Sequence, residues 1–350
     1  MDNLTRANVS RRSFLALSGG ALVAGCGSRG GGGGGASGGD GPVTEVRLGT
    51  ATANDIQDAW LQLYAERLSE DSNGEVTGQV FNAGQLGGND QMLEMQAAGT
   101  LAVQTMPMEF MAPFIREFGV PSMPFLFNSF EEMKSFATNE ELRDYFNGLA
   151  EAKGFVTPMF YPYSAHFRSV ISTFPVATVE DLQGKNFRTF PSPELIGQWQ
   201  SWGAQPVPMP LPEVYTGLQQ GTIDGLENPE DIYLAAKHFE VAPYYTVTNH
   251  GSLISVLGIS KSWLDQQSAD VQEVMVSTAR DLQEDAFALA EQYATEARAT
   301  LEEDPSVTIT EMPQAEVAQL REAVQPLYEQ EAADPAAGPA LEKIQQALGR

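Results

Sequence analysis

The sequence predicts an α/β protein of two lobes, with a cleft between the lobes and a long helix that bridges them. Three observations support this fold. Strand patterns alternate with helix patterns from residue 45, the alternation restarts at residue 155, and residues 269–304 keep one helical pattern until Pro305. Alternation of this kind is typical of a parallel α/β sheet. At 350 residues the chain also exceeds one small core, so two packed units are expected.

The first half begins with a strand at residues 45–51, EVRLGTA, followed by a long amphipathic helix for which Asn54 is the predicted cap. Residues 75–81, EVTGQVF, alternate as a second strand. The loop at 82–90, NAGQLGGND, leads into the helix QMLEMQAAG, and LAVQTM is a further strand. Each of these strands is thus separated from the next by a helix.

The second half starts with a strand candidate at residues 155–161, FVTPMFY. Ser192 as cap and Pro193 in the first turn mark the start of a helix after the strand KNFRTF. The long pattern at 269–304 extends about 50 Å as a helix, which is more than one small domain needs. The remaining elements are a capped turn at 178–184, a helix at 211–221 and a strand at 222–228.

The N-terminus has the features of an export signal. In SRRSFLALSGGALVAGC, the twin arginines Arg11 and Arg12 precede an apolar run too short to span a membrane. Val-Ala-Gly-Cys resembles a lipobox, with Cys26 as the lipidated first residue. We therefore predict a twin-arginine lipoprotein signal peptide at 1–25 and a glycine-rich tether at 26–42. A signal for the general secretory route, or a chance basic segment, is the alternative.

The chain is strongly acidic, with 46 Asp and Glu residues against 20 Lys and Arg and a formal net charge of -26. Nucleic acid is excluded as a partner, because it needs a basic face and none is visible. The acid excess favours a salt-adapted prokaryote, where high ionic strength screens self-repulsion; ordinary acidic solubility is the alternative. One Cys and three His form no ligand pattern, so we predict no metal and no cofactor.

One arginine stands out in the segment GKNFRTFPSP, residues 184–193. Arg188 lies at the end of a predicted strand, just before the helix that starts at Pro193. In open α/β sheets this position faces the ligand crevice. A guanidinium matches a carboxylate with two parallel hydrogen bonds. We predict that Arg188 binds the carboxylate of an external ligand; an ion pair with an internal acid is the alternative.

Several segments, in order and with close spacing, resemble the DctP-type solute-binding proteins of TRAP transporters (tripartite ATP-independent periplasmic transporters). Between residues 163 and 250 these segments are TVEDLQGKNFR, WGAQPVPMPLPEVYTGLQQGTIDGLENP and YYTVTNH. NAGQLGGND and PFLF add to the resemblance, which covers the chain from about Val46. It implies a periplasmic-binding-protein-like fold, for which we place the lobes as follows: lobe I at 44–165 plus 254–293, and lobe II at 166–253 plus 294–350.

The resemblance also implies the residues that contact the ligand. The strand arginine of the family, which forms a two-pronged salt bridge with the ligand carboxylate, corresponds to Arg188, and an assisting arginine corresponds to Arg168. Asn228 corresponds to an asparagine that bonds the ligand. Glu227 is expected to brace one arginine, to hold the ligand through a divalent cation, or to be a surface carboxylate. Further candidate ligand contacts are Thr50, Asn89 and Glu109 in the first lobe, and Phe190 and Tyr215 in the second.

The implied function is binding without catalysis. The protein is expected to capture an organic acid outside the cytoplasm, anchored by the lipid on Cys26, and to deliver it to a TRAP membrane permease. The alternatives are the binding lipoprotein of an ATP-driven importer and a secreted hydrolase. Leu226 and Leu211 replace residues usual in the family, so a C4-dicarboxylate, a sugar acid and a keto acid all remain open.

Overall fold

Two six-stranded sheets form the framework of the protein, of which the computed structural model describes residues 43–350. The strands in chain order are β1 (Thr44–Gly49), β2 (Val76–Phe81), β3 (Val103–Pro107), β4 (Phe155–Val156), β5 (Phe160–Pro162), β6 (Arg168–Ser172), β7 (Asn186–Thr189), β8 (Gln205–Pro208), β9 (Gly225–Asn228), β10 (Tyr244–Gly251), β11 (Ile254–Ser260) and β12 (Thr308–Glu311). The first sheet has the order β2-β1-β3-β11-β4, with β5 also paired to β11. The second has the order β12-β10-β6-β9-β7-β8.

The helices cover both sheets. They are α1 (Ile56–Asp71), α2 (Asn89–Ala97), α3 (Phe130–Thr138), α4 (Glu140–Glu151), α5 (Pro193–Ser201), α6 (Leu211–Gln220), α7 (Glu230–Ala235), α8 (Lys261–Leu264), α9 (Ala269–Asp281), α10 (Gln283–Glu303), α11 (Gln314–Ala323), α12 (Gln325–Ala333) and α13 (Ala337–Ala347). Short 3-10 turns occur at Met108–Met111, Arg116–Ser122, Val179–Leu182 and His238–Glu240. The mixed α/β fold with two lobes is the predicted one.

The sheets are mixed, whereas the sequence predicted parallel ones. In the first sheet β11 runs antiparallel to β3, β4 and β5, and in the second β6 runs antiparallel to β9 and β10. The antiparallel strands β6 and β11 each follow directly after a strand of the other sheet. The chain therefore enters both of them from the junction between the two sheets. The other strands run toward that junction, and their carboxyl ends therefore meet where the lobes meet.

The second sheet is covered on both faces, which separates its side chains into two sets. Val170 and Phe187 belong to an apolar cluster with Trp199, whereas Ile171 and Leu226 belong to a different cluster. Alternate residues of a strand point to opposite faces of the sheet. The two apolar clusters therefore show from which face each side chain of β6, β7 and β9 projects.

The predicted helix at 269–304 is two helices. Leu282, with φ -85° and ψ 13°, separates α9 from α10, and the indole of Trp60 donates to its carbonyl at 3.4 Å. A side chain that joins the backbone ladder is a known cause of helix bending. The helix α10 still bridges the lobes. Its Gln283 donates to the carbonyl of Phe160 at 2.7 Å, and its Arg298 donates to Glu230 at 3.0 Å.

Two further details differ from prediction. Asp55, and not Asn54, caps α1, because the Asp55 side chain accepts from the backbone of Asp58 while Asn54 has a φ of 59°. The C-terminal helix α13 packs into the core cluster of the first sheet through Leu341 and Ile344, although residues 294–350 were assigned to lobe II. The remaining lobe boundaries stay a prediction.

Between residues 43 and 350, no helix has the length and apolar character that a membrane crossing requires.

Candidate functional site

The predicted ligand residues lie on the edges of both sheets that face the junction. Arg188 is the third residue of β7, and Asn228 ends β9, which runs parallel to β7. Arg168 begins β6, which pairs antiparallel with β9, so it lies at the same edge. From the first sheet, Glu109 lies two residues after the end of β3. Carboxyl ends of parallel strands are the usual place for ligands in α/β sheets.

Arg188 is completely buried, and within residues 43–350 only one of its three guanidinium nitrogens has a hydrogen-bond partner. Its Nε donates to the carbonyl of Met209 at 2.9 Å, whereas Nη1 and Nη2 have no hydrogen-bond partner among residues 43–350. The guanidinium carbon lies 4.3 Å from the centroid of the Phe190 ring. Burial lowers the pKa of Arg188 to about 10, with Glu227, Glu109 and other neighbouring charges as smaller influences, so it remains charged at pH 7.

Arg168 is equally buried but has ionic partners. Its Nη1 lies 3.4 Å from Glu227 Oε1 and 3.8 Å from Glu109 Oε1, and its Nη2 donates to the carbonyl of Ser122 at 3.1 Å. Its Nε has no hydrogen-bond partner in the described part of the chain. Arg168 is thus a neutralised charge that joins the second sheet to the segment around Ser122.

Both carboxylate oxygens of Glu227 face hydrogen-bond donors. Its Oε2 accepts from Gln198 Nε2 at 2.7 Å and from His250 Nε2, and its Oε1 faces Arg168. Burial alone would raise the pKa of this carboxyl, but Arg168, His250 and Gln198 outweigh burial and hold it at about 2. Of the three roles expected for Glu227, this geometry fits the bracing of Arg168. It does not fit a surface carboxylate, since the residue is fully buried.

The sheet geometry explains why Glu227 pairs with Arg168 and not with Arg188. Glu227 lies opposite Val170 in the register of β9 and β6, on the face that Arg168 shares by its two-residue spacing. Phe187 lies opposite Gly225, which places Arg188 on the other face together with Leu226 and Asn228. The two arginines therefore project from opposite faces of one sheet and meet only at its edge.

Asn228 shares the face of Arg188. It is 1% exposed, and its Nδ2 has no hydrogen-bond partner among the described residues. Its backbone carbonyl accepts from the hydroxyl of Tyr245 at 3.2 Å, which fixes the end of β9. An amide donor held in this way can bond an oxygen of a ligand.

Glu109 brings a carboxyl from the first lobe to the two arginines. It lies in the turn Met108–Met111, is 1% exposed, and its Oε1 accepts no hydrogen bond from the described residues. Burial raises its pKa to about 7, although Arg168 acts in the opposite direction. Burial therefore favours the protonated form of Glu109 more than it would for an exposed glutamate.

Phe190 packs across the junction. Its ring contacts Phe110 of the first lobe edge-on, with 5.3 Å between centroids, and covers Arg188. An aromatic face over a guanidinium stabilises the charge without consuming its hydrogen-bond donors. The terminal nitrogens of Arg188 consequently stay available for an anion.

The other first-lobe candidates are partly occupied. Thr50 is buried, and its hydroxyl donates to Gln57 Oε1 at 3.3 Å within the first lobe. Asn89, the first residue of α2, accepts at Oδ1 from Gln104 Nε2 at 3.0 Å, and its side chain lines the inner cavity described below. Tyr215 of α6, in the second lobe, lines the larger outer hollow described below, and its hydroxyl donates to Glu240 at 2.8 Å.

Three hollows separate the lobes. The inner cavity, of about 20 Å³, is lined by residues of both lobes that include Asn89, Phe190 and Asn228. Two outer hollows of about 130 and 250 Å³ flank it, and Leu211 lines all three. His238 lines the larger one, and burial together with Arg188 lowers its pKa to about 3, so it is neutral. In this arrangement the lobes meet closely around Leu211.

Sequence reasoning missed the groups that hold the arginines in place. Gln198 and His250 position Glu227, and the carbonyls of Met209 and Ser122 position Arg188 and Arg168. Burial lowers the pKa of His250, which is then neutral; it donates from Nε2 and contacts the hydroxyl of Thr248 at 2.7 Å through Nδ1. Backbone carbonyls leave no signal in a sequence, so these contacts could not be predicted.

The predicted signal and anchor lie outside the described residues. These are Arg11, Arg12 and Cys26, with the segments 1–25 and 26–42. Within residues 43–350, no three His, Cys, Asp or Glu side chains come together as a possible metal site.

Residues 49–334 match the model of the family described as bacterial extracellular solute-binding protein, family 7, DctP. The uncharacterized protein YiiZ of Salmonella typhimurium is 30% identical over 82% of this chain and 86% of its own length. The sugar acid binding protein DctPAm of Advenella mimigardefordensis, solved with galactonate, has a TM-score of 0.81 at 26% identity, covering 88% of this chain and 100% of that one. A TRAP periplasmic solute-binding protein of Xanthobacter autotrophicus, solved with β-D-galacturonate, has a TM-score of 0.80 at 27% identity, covering 86% and 99%.

Proposed function

The chain belongs to bacterial extracellular solute-binding protein family 7, the DctP family that its sequence motifs predicted, and from this premise we propose that it captures an organic acid between its lobes. The carboxylate of the ligand binds the guanidinium of Arg188, and the protein then delivers the acid to a TRAP membrane permease. It acts by binding alone, without chemical conversion of the ligand.

One observation carries the proposal: Nη1 and Nη2 of Arg188 are buried and have no hydrogen-bond partner in residues 43–350. Buried polar groups are nearly always paired, so two donors without a partner in residues 43–350 support a partner that these residues do not supply. Their planar spacing suits the two oxygens of a carboxylate. The bond from Nε to Met209 holds the fork in one orientation, which limits the entropy lost on binding.

The remaining contacts come from both lobes. Asn228 donates to a second ligand oxygen, the Nε of Arg168 is a further donor, and Phe190 forms an apolar wall. The inner cavity of about 20 Å³ has room for roughly one water molecule, so an organic acid enters only when the lobes separate. Closure over the ligand then excludes water and strengthens the contact with Arg188.

Two segments outside the described residues complete the proposal. Arg11 and Arg12 direct export by the twin-arginine route, and the lipid on Cys26 anchors the protein, with the glycine-rich residues 26–42 as the tether. Replacement of Cys26 by Ala is expected to release the protein into the soluble fraction. Membrane retention of that variant would contradict the lipid anchor.

The test is Arg188→Ala. A thermal-shift screen of organic acids, galactonate among them, first identifies a ligand, and titration calorimetry then compares affinities. We expect at least a tenfold loss of affinity, since loss of one partner of a buried charge pair costs about 2–5 kcal/mol. Arg321→Ala is the matched control, because Arg321 also lies 4.3 Å from an aromatic centroid, that of Phe125, but outside the three hollows. Unchanged affinity in Arg188→Ala would refute the assignment.

A further inference from the structure

His238 is a buried histidine at the wall of the cleft. It is 1% exposed, it lines the larger outer hollow, and its Nδ1 has no hydrogen-bond partner among residues 43–350. Buried polar atoms are nearly always paired. A buried ring nitrogen that lacks a partner in the described part of the chain, at the wall of a ligand cleft, indicates a contact that the ligand supplies.

His238 lies on the same face of the second sheet as Arg188. Leu226, which shares that face with Arg188, belongs to one apolar cluster with Tyr233 and the partly buried Phe239. His238 lies between these two aromatic residues in the chain, and their ring centroids are 6.2 Å apart. The turn that follows α7 therefore brings the imidazole to the side of the sheet from which the guanidinium projects.

The charge of Arg188 acts on a residue in each outer hollow. Burial, and after it the charge of Arg188, lower the pKa of His238 in the larger hollow to about 3. In the smaller hollow, burial and Glu94 raise the pKa of Asp90, and Arg188 acts in the opposite direction. Because such effects weaken with distance, Arg188 lies between the two outer hollows, and an anion bound to it lies close to His238.

We propose that His238 is a further ligand-binding residue, whose imidazole takes up a proton as the acid binds and donates a hydrogen bond to the carboxylate held by Arg188. This inference rests on the proposed function, since it assumes that Arg188 binds a carboxylate. The proton comes from the solvent, and no covalent bond of the acid changes. An imidazolium adds one charge-assisted hydrogen bond to those of the guanidinium.

Binding supplies the counter-charge that His238 lacks in the empty cleft. There the imidazole is neutral, because burial and the charge of Arg188 both disfavour the imidazolium. A carboxylate on Arg188 offsets this repulsion and attracts the imidazolium, so the pKa of His238 is higher in the complex than in the free protein. The complex then holds more protons than the free protein, and the affinity for the acid increases as pH falls from 7 to 5.5.

Other titratable groups surround His238. Asp55 and Tyr215 line the same hollow, α7, which packs against the turn that contains His238, carries Glu230, Asp231 and Tyr233, and Lys237 and Glu240 lie on the segment of His238 itself. Burial raises the pKa of Asp231, and that of Glu109 behind the cleft, to about 7. Such acids also take up protons when an anion binds nearby. Only the difference between the wild type and a His238 variant therefore measures the contribution of His238.

The test is proton-linked calorimetry on full-length mature protein. The probe is galactonate or, if galactonate does not bind, the tightest-binding acid of the thermal-shift screen. It is titrated at pH 5.5 and 7 in cacodylate and in Bis-Tris, two buffers without a carboxylate and with different ionisation enthalpies. The dependence of the binding enthalpy on the buffer gives the number of protons taken up. At pH 5.5 we expect the wild type to take up at least about 0.3 of a proton more than His238→Asn.

Two variants separate the proton from the hydrogen bond. His238→Asn keeps an amide close to the position of Nδ1 but cannot titrate, so it loses the additional proton uptake. His238→Leu loses the hydrogen bond as well and should bind roughly tenfold more weakly at pH 5.5. His166→Asn is the matched control, because His166 pairs with Glu230 at 3.1 Å and lies outside the three hollows. It should leave both affinity and proton uptake unchanged.

The outcomes distinguish this inference from the proposed function. Equal proton uptake by the wild type and His238→Asn overturns the inference, while a loss of affinity in Arg188→Ala still supports the proposed function. A wild-type binding enthalpy that is the same in both buffers at pH 5.5 also overturns it, and that measurement does not depend on the folding of any variant. If no acid of the screen binds, the proposed function and this inference both fail.

Discussion

Arg168 and Arg188 are two fully buried arginines on strands that flank β9, and they differ in their partners. Arg168 shares a sheet face with Glu227 and is bonded to Ser122, whereas Arg188 lies on the opposite face with both terminal nitrogens unsatisfied among the described residues. The comparison teaches that burial alone does not define the role of a charged residue. An arginine with internal partners stabilises the fold, and one whose donors remain free can bind an external anion.

The largest expected effect separates these roles by stability. Glu227→Leu leaves Arg168 without its main counter-charge and should destabilise the protein by about 3–5 kcal/mol in urea unfolding. Arg188→Met removes a buried charge that has no internal partner, so stability should be unchanged or increased. The double variant Arg168→Met with Glu227→Leu is the control, and we expect it to regain much of the loss. Equal destabilisation by Arg188→Met and Glu227→Leu would remove the distinction between the two arginines.

The next effect depends on the shape of the guanidinium. Arg188→Lys keeps the positive charge but cannot form two parallel hydrogen bonds. Loss of one hydrogen bond to a charged group costs about 1.5–3 kcal/mol, so affinity for the identified acid should fall roughly ten- to hundredfold. Arg168→Lys should reduce stability more than affinity. Calorimetry and urea unfolding of both variants check this, and native affinity in the Arg188→Lys variant would exclude bidentate binding.

A smaller effect should appear in the pH dependence of stability. The folded pKa of Glu109 is raised to about 7 from an ordinary 4.5, so its contribution to stability should fall as pH rises from about 4.5 to 7. The pKa of Asp231 is raised to about 7 by burial and contributes in the same direction. Glu227, with a folded pKa of about 2, stabilises above about pH 4.5, and its contribution is lost as pH falls toward 2.

Thermal melting of the ligand-free protein between pH 5 and 8 measures this effect. Glu109→Gln should remove its share of the decline; in the remaining pH dependence Asp231 acts in the same direction, whereas His238 and His250, whose pKa values burial lowers, act in the opposite direction. A variant whose profile superimposes on that of the wild type would show that Glu109 is not the group that titrates.

The smallest effect concerns salt. The acidic surface repels itself, so added KCl should raise the melting temperature by a few degrees. Arg188 is completely buried and therefore shielded from dissolved ions, so Arg188→Met should show the same salt dependence of the melting temperature as the wild type. A melting temperature that stays flat or falls with KCl would contradict the prediction of salt adaptation.

Much of the secondary structure could be predicted, because local sequence patterns indicate where strands and helices begin and end. The strand that contains Arg188, the helix that starts at Pro193 and the helix α6 with Gly221 after its last turn all lie where the sequence predicted them. The ordered motifs also identified the family correctly. By contrast, the break at Leu282 depends on Trp60, more than 200 positions away, and no local pattern contains that contact.

The sequence by itself determined which residues end the strands, because alternation, caps and turn residues are local properties of a chain. Only the tertiary structure decided which of two similar arginines is free. That outcome depends on the face of the sheet from which each side chain projects and on partners such as Gln198, Met209 and Ser122. Pairing across strands joins residues that are distant along the chain, so the availability of Arg188 is a property of the folded sheet.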